Sequence, residues 1–270
     1  MKKLLALKII FALLAVTLTG CAASELPQDD KELNNIYYPG ISRTTLKHVY
    51  NYMASYAYNL LYYDGSVYTS FYINSVQDRS EIPMENVAGR ELAKVYGNHE
   101  IYWSVDENDL ANSTLIGTIY SVNGYDEDFR VCIYYEKTWP QTVYGLQIFE
   151  KLNDITLCKG SELYQDRLHL DQAVAVYDAD NHNFSLTEQP LVEFMEALFD
   201  GPFMEADADI CSVIDHSEAK ALYFEDALGL ITQIDIYSEG YVVMRKHEDL
   251  FVVQIDPVIS EKITGGIINQ

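Results

Sequence analysis

The chain has 270 residues, 49% hydrophobic and 13% aromatic, with 18 Lys+Arg against 41 Asp+Glu for a formal charge of -23. The hydrophobic share excludes a wholly disordered acidic chain. The charge argues against nucleic acid, whose binding relies on Lys and Arg neutralising phosphates, and against attachment to an anionic membrane by surface charge.

At the N-terminus, Lys2, Lys3 and Lys8 precede or interrupt an otherwise apolar stretch, and Ile9 to Leu18 is an uncharged apolar run. As a helix that run spans roughly 15 Å, about half of a bilayer core, so it fits the h-region of a signal peptide and not a membrane span. It ends in Leu18-Thr19-Gly20-Cys21. This motif resembles the lipobox of bacterial lipoproteins: an aliphatic residue, a small residue, Gly or Ala, then the Cys that accepts lipid. The resemblance implies a signal peptide at 1–20, diacylglyceryl transfer to Cys21, cleavage before it and N-acylation. Two or three acyl chains anchor stably where one is marginal. The implied product is an extracytoplasmic protein held on the membrane through Cys21. Its three leader cations gone, it carries 15 Lys+Arg against 41 Asp+Glu, or -26.

Residues 21–40 read as the lipidated cysteine and a flexible tether, with Ser24, Pro27, Asp29, Asp30, Asn34 and Asn35 and no sustained period. A coil of this length has an r.m.s. span of roughly 23 Å. Ordering of Ile36–Tyr38 against the domain is compatible with this reading. Residues 41–270 form the domain. A short helix is predicted near 44–54, then a hairpin over 57–73 turning at Asp64-Gly65, a pair suited to a type I′ turn. Residues 74–114 are rich in loop signals, with a helical turn at Glu91–Tyr96. Strands follow at Leu115–Val122, Phe129–Tyr135, Tyr144–Glu150, Ile155–Cys158 and 173–177. The clearest helix lies at about 188–200, where Leu191, Phe194, Met195, Leu198 and Phe199 form one apolar stripe. Pro190 suits its first turn and Asp200-Gly201-Pro202 its stop. Lys220–Phe224, Leu230–Tyr237, Tyr241–Lys246 and Leu250–Ile255 read as a meander. The fold class is α+β, predominantly antiparallel sheet, as one unit or as two subdomains split near 160–185.

Catalytic signatures are missing. There is no GxSxG or HExxH. Ser217-Glu218-Ala219-Lys220 matches SxxK, but Ser121-Val122-Asn123 precedes it and no Lys-Thr/Ser-Gly follows at the right place. The six histidines stand singly, and Asp166-Arg167-Leu168-His169-Leu170-Asp171 reads as a loop fixed by an Arg–Asp pair. No cofactor signature appears. Calcium is the metal to which alternating acids point. Asp178 and Asp180 begin an EF-hand-like run that lacks Gly at its sixth position (Asn183) and Glu at its twelfth (Gln189). Asp207 and Asp209 alternate in a second acidic run; solvated loops give the same patterns. With Cys21 lipidated, Cys132, Cys158 and Cys211 allow at most one disulfide. The 22 tyrosines suit half-buried strands better than a binding face, though exposed Tyr also fits glycan or peptide binding.

The leading expectation is therefore a non-enzymatic, lipid-anchored module that binds a protein, peptide or glycan, or regulates an envelope process. Two alternatives stand beside it. An envelope hydrolase with a site of dispersed acids and His calls for a polar cleft with His169 or His216 beside carboxylates. A solute-binding component of a transporter calls for two α/β lobes.

Overall fold

The computed structural model describes residues 35–38, 60–70, 84–95, 111–113, 115–137, 143–152, 154–246 and 249–268. Cys21 and its leader, the helix predicted near 44–54 and the outer ends of the 57–73 hairpin lie outside them. The architecture is α+β, dominated by antiparallel sheet. Among the described residues no helix is long and apolar enough to cross a membrane.

Strand β1 (Ile36–Tyr38) pairs antiparallel with Ile155–Leu157 and buries Tyr38, so part of the segment read as tether joins the fold. β2 (Leu60–Tyr63) and β3 (Ser66–Ser70) make a two-residue hairpin. Asp64 (φ 46°) and Gly65 (φ 77°) both take the positive φ that a type I′ turn demands. A single helical turn, α1 (Met84–Val87), leads into β4 (Ala88–Val95). Here the helical turn predicted from Glu91 gives way to strand, because Leu92, Ala93 and Val95 join a sheet core that supplies more burial than one isolated turn. β5 (Ala111–Ser113), β6 (Gly117–Val122), β7 (Arg130–Lys137) and β8 (Val143–Glu150) complete a seven-stranded sheet in the order β4-β6-β7-β8-β3-β2-β5. One face carries Leu61, Tyr68, Ile119, Val131, Ile133 and Phe149; the other carries Val122, Cys132 and Ile148.

After β9 (Ile155–Leu157) the chain makes a π-helical turn at Ser161–Gln165 and a 3-10 turn at Leu170–Gln172. The second sheet is built from β10 (Ala175–Asp178), β11 (Asn183–Phe184), β12 (Phe203–Met204), β13 (Lys220–Glu225), β14 (Ile231–Ile236), β15 (Tyr241–Lys246) and β16 (Asp249–Gln254), in the order β11-β10-β13-β14-β15-β16-β12. Its helices are α2 (Gln189–Asp200), α3 (Ala208–His216) and α4 (Pro257–Ile268). α2 lies where its stripe predicts, with Leu191, Phe194 and Leu198 buried in the main core. α3 buries Ile210 and Ile214 against Tyr237, Val243 and Val252 in a separate cluster.

The two sheets meet through an ionic cluster. Arg130 and Glu150 face each other across β7 and β8, both fully buried. Arg130 Nε donates to Glu150 Oε1 at 3.1 Å and its Nη2 makes a second contact there. Lys246 of the second sheet reaches Glu150 Oε2 at 2.8 Å. Tyr125 lies over the Arg130 guanidinium, 4.0 Å from carbon to ring centroid, and donates its hydroxyl to Asp226 at 2.7 Å. Asp226 in turn accepts the backbone N–H groups of Leu228 and Leu230. That turn places Leu230 against Val122, Cys132 and Ile148 of the first sheet. Glu150 thus bonds both Arg130 and Lys246, and Tyr125 links Arg130 to Asp226.

Candidate functional site

A cleft of about 500 Å³ opens beside this junction. The loop between β6 and β7 contributes Asp126, Asp128 and Phe129; β9 contributes Thr156 and Leu157; the segment after β9 contributes Glu162, Asp166, Arg167 and His169.

Local geometry fixes each wall. Asp126 closes its loop by accepting the Asp128 N–H on Oδ1 and the Phe129 and Arg130 N–H groups on its carbonyl. Glu162 accepts the Cys158 N–H at 2.7 Å, which ties the π-turn to β9. Gly160, just before it, donates to the Gly201 carbonyl, and a β-carbon there would stand 1.8 Å from the Leu198 oxygen. Only glycine lets this segment press so closely on the end of α2. His169 takes a left-handed conformation (φ 54°), and its ring centroid lies 5.2 Å from that of Tyr125. Arg167 lies 5.9 Å from the Phe129 ring centroid.

The Arg–Asp pair expected within 166–171 is not formed. The contacts are Gln165 to Asp171 and Arg167 to Phe129. Among the described residues neither Asp128 nor Asp166 pairs its carboxylate with a cation. Four carboxylates therefore face one guanidinium. His169 does stand in a polar cleft with acids, the arrangement the hydrolase alternative called for. Its ring, however, packs on Tyr125, and among the described residues no hydrogen bond joins it to a carboxylate that would set it up as a base. His216 is elsewhere, with Nδ1 2.8 Å from the Ser212 carbonyl at the end of α3. Ser217 and Lys220 have separate partners, Glu239 and Glu218.

The acids singled out for calcium have backbone roles. Asp178 is buried and accepts the Asp180 and His182 N–H groups on Oδ1, with Oδ2 3.1 Å from His182 Nδ1. These bonds to the charged form hold its carboxyl below the usual range, against the opposing and larger single effect of burial. Asp178, Asp180 and His182 are the only group of three among the described residues whose ligand atoms lie within 4.8 Å of one another. Asp207 caps α3, accepting the Asp209 and Ile210 N–H groups at 3.0 and 2.9 Å. Asp209 lies in that helix's first turn, where its charge opposes the helix dipole favourably.

Cys132, Cys158 and Cys211 are all free thiols. Burial pushes the Cys132 thiol up to about 12, so it stays protonated and unreactive. Among the described tyrosines Tyr38, Tyr62, Tyr68, Tyr164 and Tyr237 are buried in the core. Tyr177 and Tyr223 stack at 5.5 Å on a half-exposed part of the second sheet. The missed part of the site is its assembly. Asp126–Asp128 and Asp166–His169 each showed as polar runs, but nothing in the sequence joined runs forty residues apart.

Comparisons with known proteins find no matching family model, no matching curated protein and no matching solved structure.

Proposed function

We propose that this chain is a lipid-anchored extracytoplasmic binding module whose cleft accepts a cationic, Lys- or Arg-bearing peptide segment. The observation that carries the reading is the composition of the cleft: Asp126, Asp128, Glu162 and Asp166 against Arg167 alone among the permanent cations. A volume of about 500 Å³ falls within the roughly 300–1,000 Å³ of ligand sites. The cleft acids do not bring three ligand atoms within 4.8 Å of one another, so they suit cations spaced along a chain better than a single ion. Phe129 and Leu157 supply apolar wall, which strengthens the field of the acids by keeping water back. The surplus of acid over base on the rest of the chain steers a basic partner inward at low salt. Anchoring rests on Leu18-Thr19-Gly20-Cys21; Cys21→Ala is expected to abolish incorporation of labelled palmitate, and retention of label would refute the anchor.

For the cleft, hexalysine titrated into the wild-type protein at 150 mM salt is the test. Asp128→Asn with Asp166→Asn is expected to weaken binding about tenfold. Glu205→Gln with Asp209→Asn removes the same charge at a distance and should change it less than twofold. Equal losses from both pairs would mean diffuse attraction and no site.

A further inference from the structure

We propose that an apolar groove beside α2 continues this recognition surface, so that the peptide it takes carries apolar side chains next to its cations. The proposal rests on the cationic-peptide reading of the cleft and extends it. The groove, about 220 Å³, is lined by Leu170, Ala173, Leu186, Leu191, Met195 and Phe199, among others. Its lining includes two carboxylates, Asp171 and Glu196, and no basic residue. Both acids are exposed, so they stand at the rim while the floor is hydrocarbon.

Three observations decide the occupant. The first is continuity: Asp166, Arg167 and His169 line the cleft, and Leu170, Asp171 and Ala173, on and just after the 3-10 turn Leu170–Gln172, line the groove, so the two linings adjoin along the chain. A ligand leaving the cleft along this segment meets the groove next. The second is charge: an apolar floor with an acidic rim accepts an apolar side chain flanked by Lys or Arg and repels one flanked by Asp or Glu. The third is exposed hydrocarbon in one place. Leu186 is 46% exposed, and Val174, next in the chain to the groove residue Ala173, is 55% exposed. Large exposed aliphatics so close together mark a contact surface better than scattered ones do. The groove is smaller than a drug-sized site, so it fits one or two anchoring side chains and not a whole ligand.

The test uses two fluorescein-labelled peptides on the folded wild-type protein, Lys-Lys-Lys-Lys-Gly-Leu-Leu-Phe and Lys-Lys-Lys-Lys-Gly-Ser-Ser-Ser, each made in both block orders. In at least one order the apolar peptide should bind about tenfold more tightly, since each buried aliphatic side chain removes substantial apolar area from water. Leu186→Asp, at an exposed position that leaves the fold intact by melting temperature, should erase most of that advantage and leave the serine peptide within twofold. Equal binding of the two peptides by wild type, or an advantage that survives Leu186→Asp, would overturn the groove proposal while leaving the cleft reading in place. Binding of neither peptide would overturn both.

Discussion

Glu150→Ala is expected to cost about 3–5 kcal/mol of folding stability, read as a lowered urea midpoint at neutral pH. Glu150 is in direct contact with both Arg130 and Lys246. Arg130 is fully buried and the Lys246 side chain is 12% exposed. Removing the carboxylate leaves two like charges near each other with water largely excluded. The penalty is that of two buried cations deprived of the carboxylate they share, not the net worth of the ion pairs. A triple variant, Arg130→Met with Glu150→Leu and Lys246→Met, should therefore recover most of the loss, because hydrocarbon of similar volume needs no partner. A triple variant as unstable as Glu150→Ala would show that the cluster holds the sheets together by attraction.

The same cluster has a pH signature. Burial alone would raise the Glu150 carboxyl, but the Lys246 ammonium and the Arg130 guanidinium together hold it below the usual carboxylate range. A folded-state value below the unfolded one stabilises the fold above the unfolded value of about 4.3. That contribution is lost as the pH falls through the lower folded value. Wild-type stability should thus drop more steeply in acid than that of the triple variant.

Phe203→Ala is expected to cost about 3–5 kcal/mol, the usual range for deleting a buried ring. Phe203 is 1% exposed and sits in an aromatic group. It meets Tyr38 edge-on at 6.1 Å and stacks with Tyr164 at 6.2 Å, while Tyr38 stacks on Phe251 at 4.4 Å. The hole would open beneath the three-residue strand β1, which has few ladder bonds of its own. Amide exchange at Ile36–Tyr38 should therefore accelerate more than exchange in β13 or β14. Uniform acceleration across the second sheet would mean that β1 is held by its pairing with β9 and not by the rings.

What the residues announced in advance follows the range of the forces involved. Asp64-Gly65 fixes its turn through backbone sterics alone, and the stripe from Leu191 to Phe199 fixes α2 through one dominant core contact. α3 escaped notice because only Ile210 and Ile214 are deeply buried on it, and because its start is an Asp whose capping role looks the same in sequence as a metal ligand. α4 begins with Pro257, and Asp256 accepts the Val258 N–H just as a cap does, but Gly265 and Gly266 blur the rest of its pattern. Asp178 was visible as a carboxylate and its three hydrogen-bonding contacts were not. The cleft is the extreme case. Its acids come from two loops that β9 and the Arg130–Glu150–Lys246 cluster hold in register, and both of those are long-range.

Carbodiimide coupling of bound hexalysine to the folded protein, mapped by mass spectrometry, asks most directly whether the cleft is the recognition site. Activated carboxylates hydrolyse quickly, so at low peptide concentration they couple preferentially to amines held beside them. The expected result is coupling concentrated at Asp126, Asp128, Glu162 and Asp166. Coupling spread over exposed acids such as Glu205, Asp209, Asp215 and Glu218 would contradict it and reduce the acidity of the domain to solubility alone.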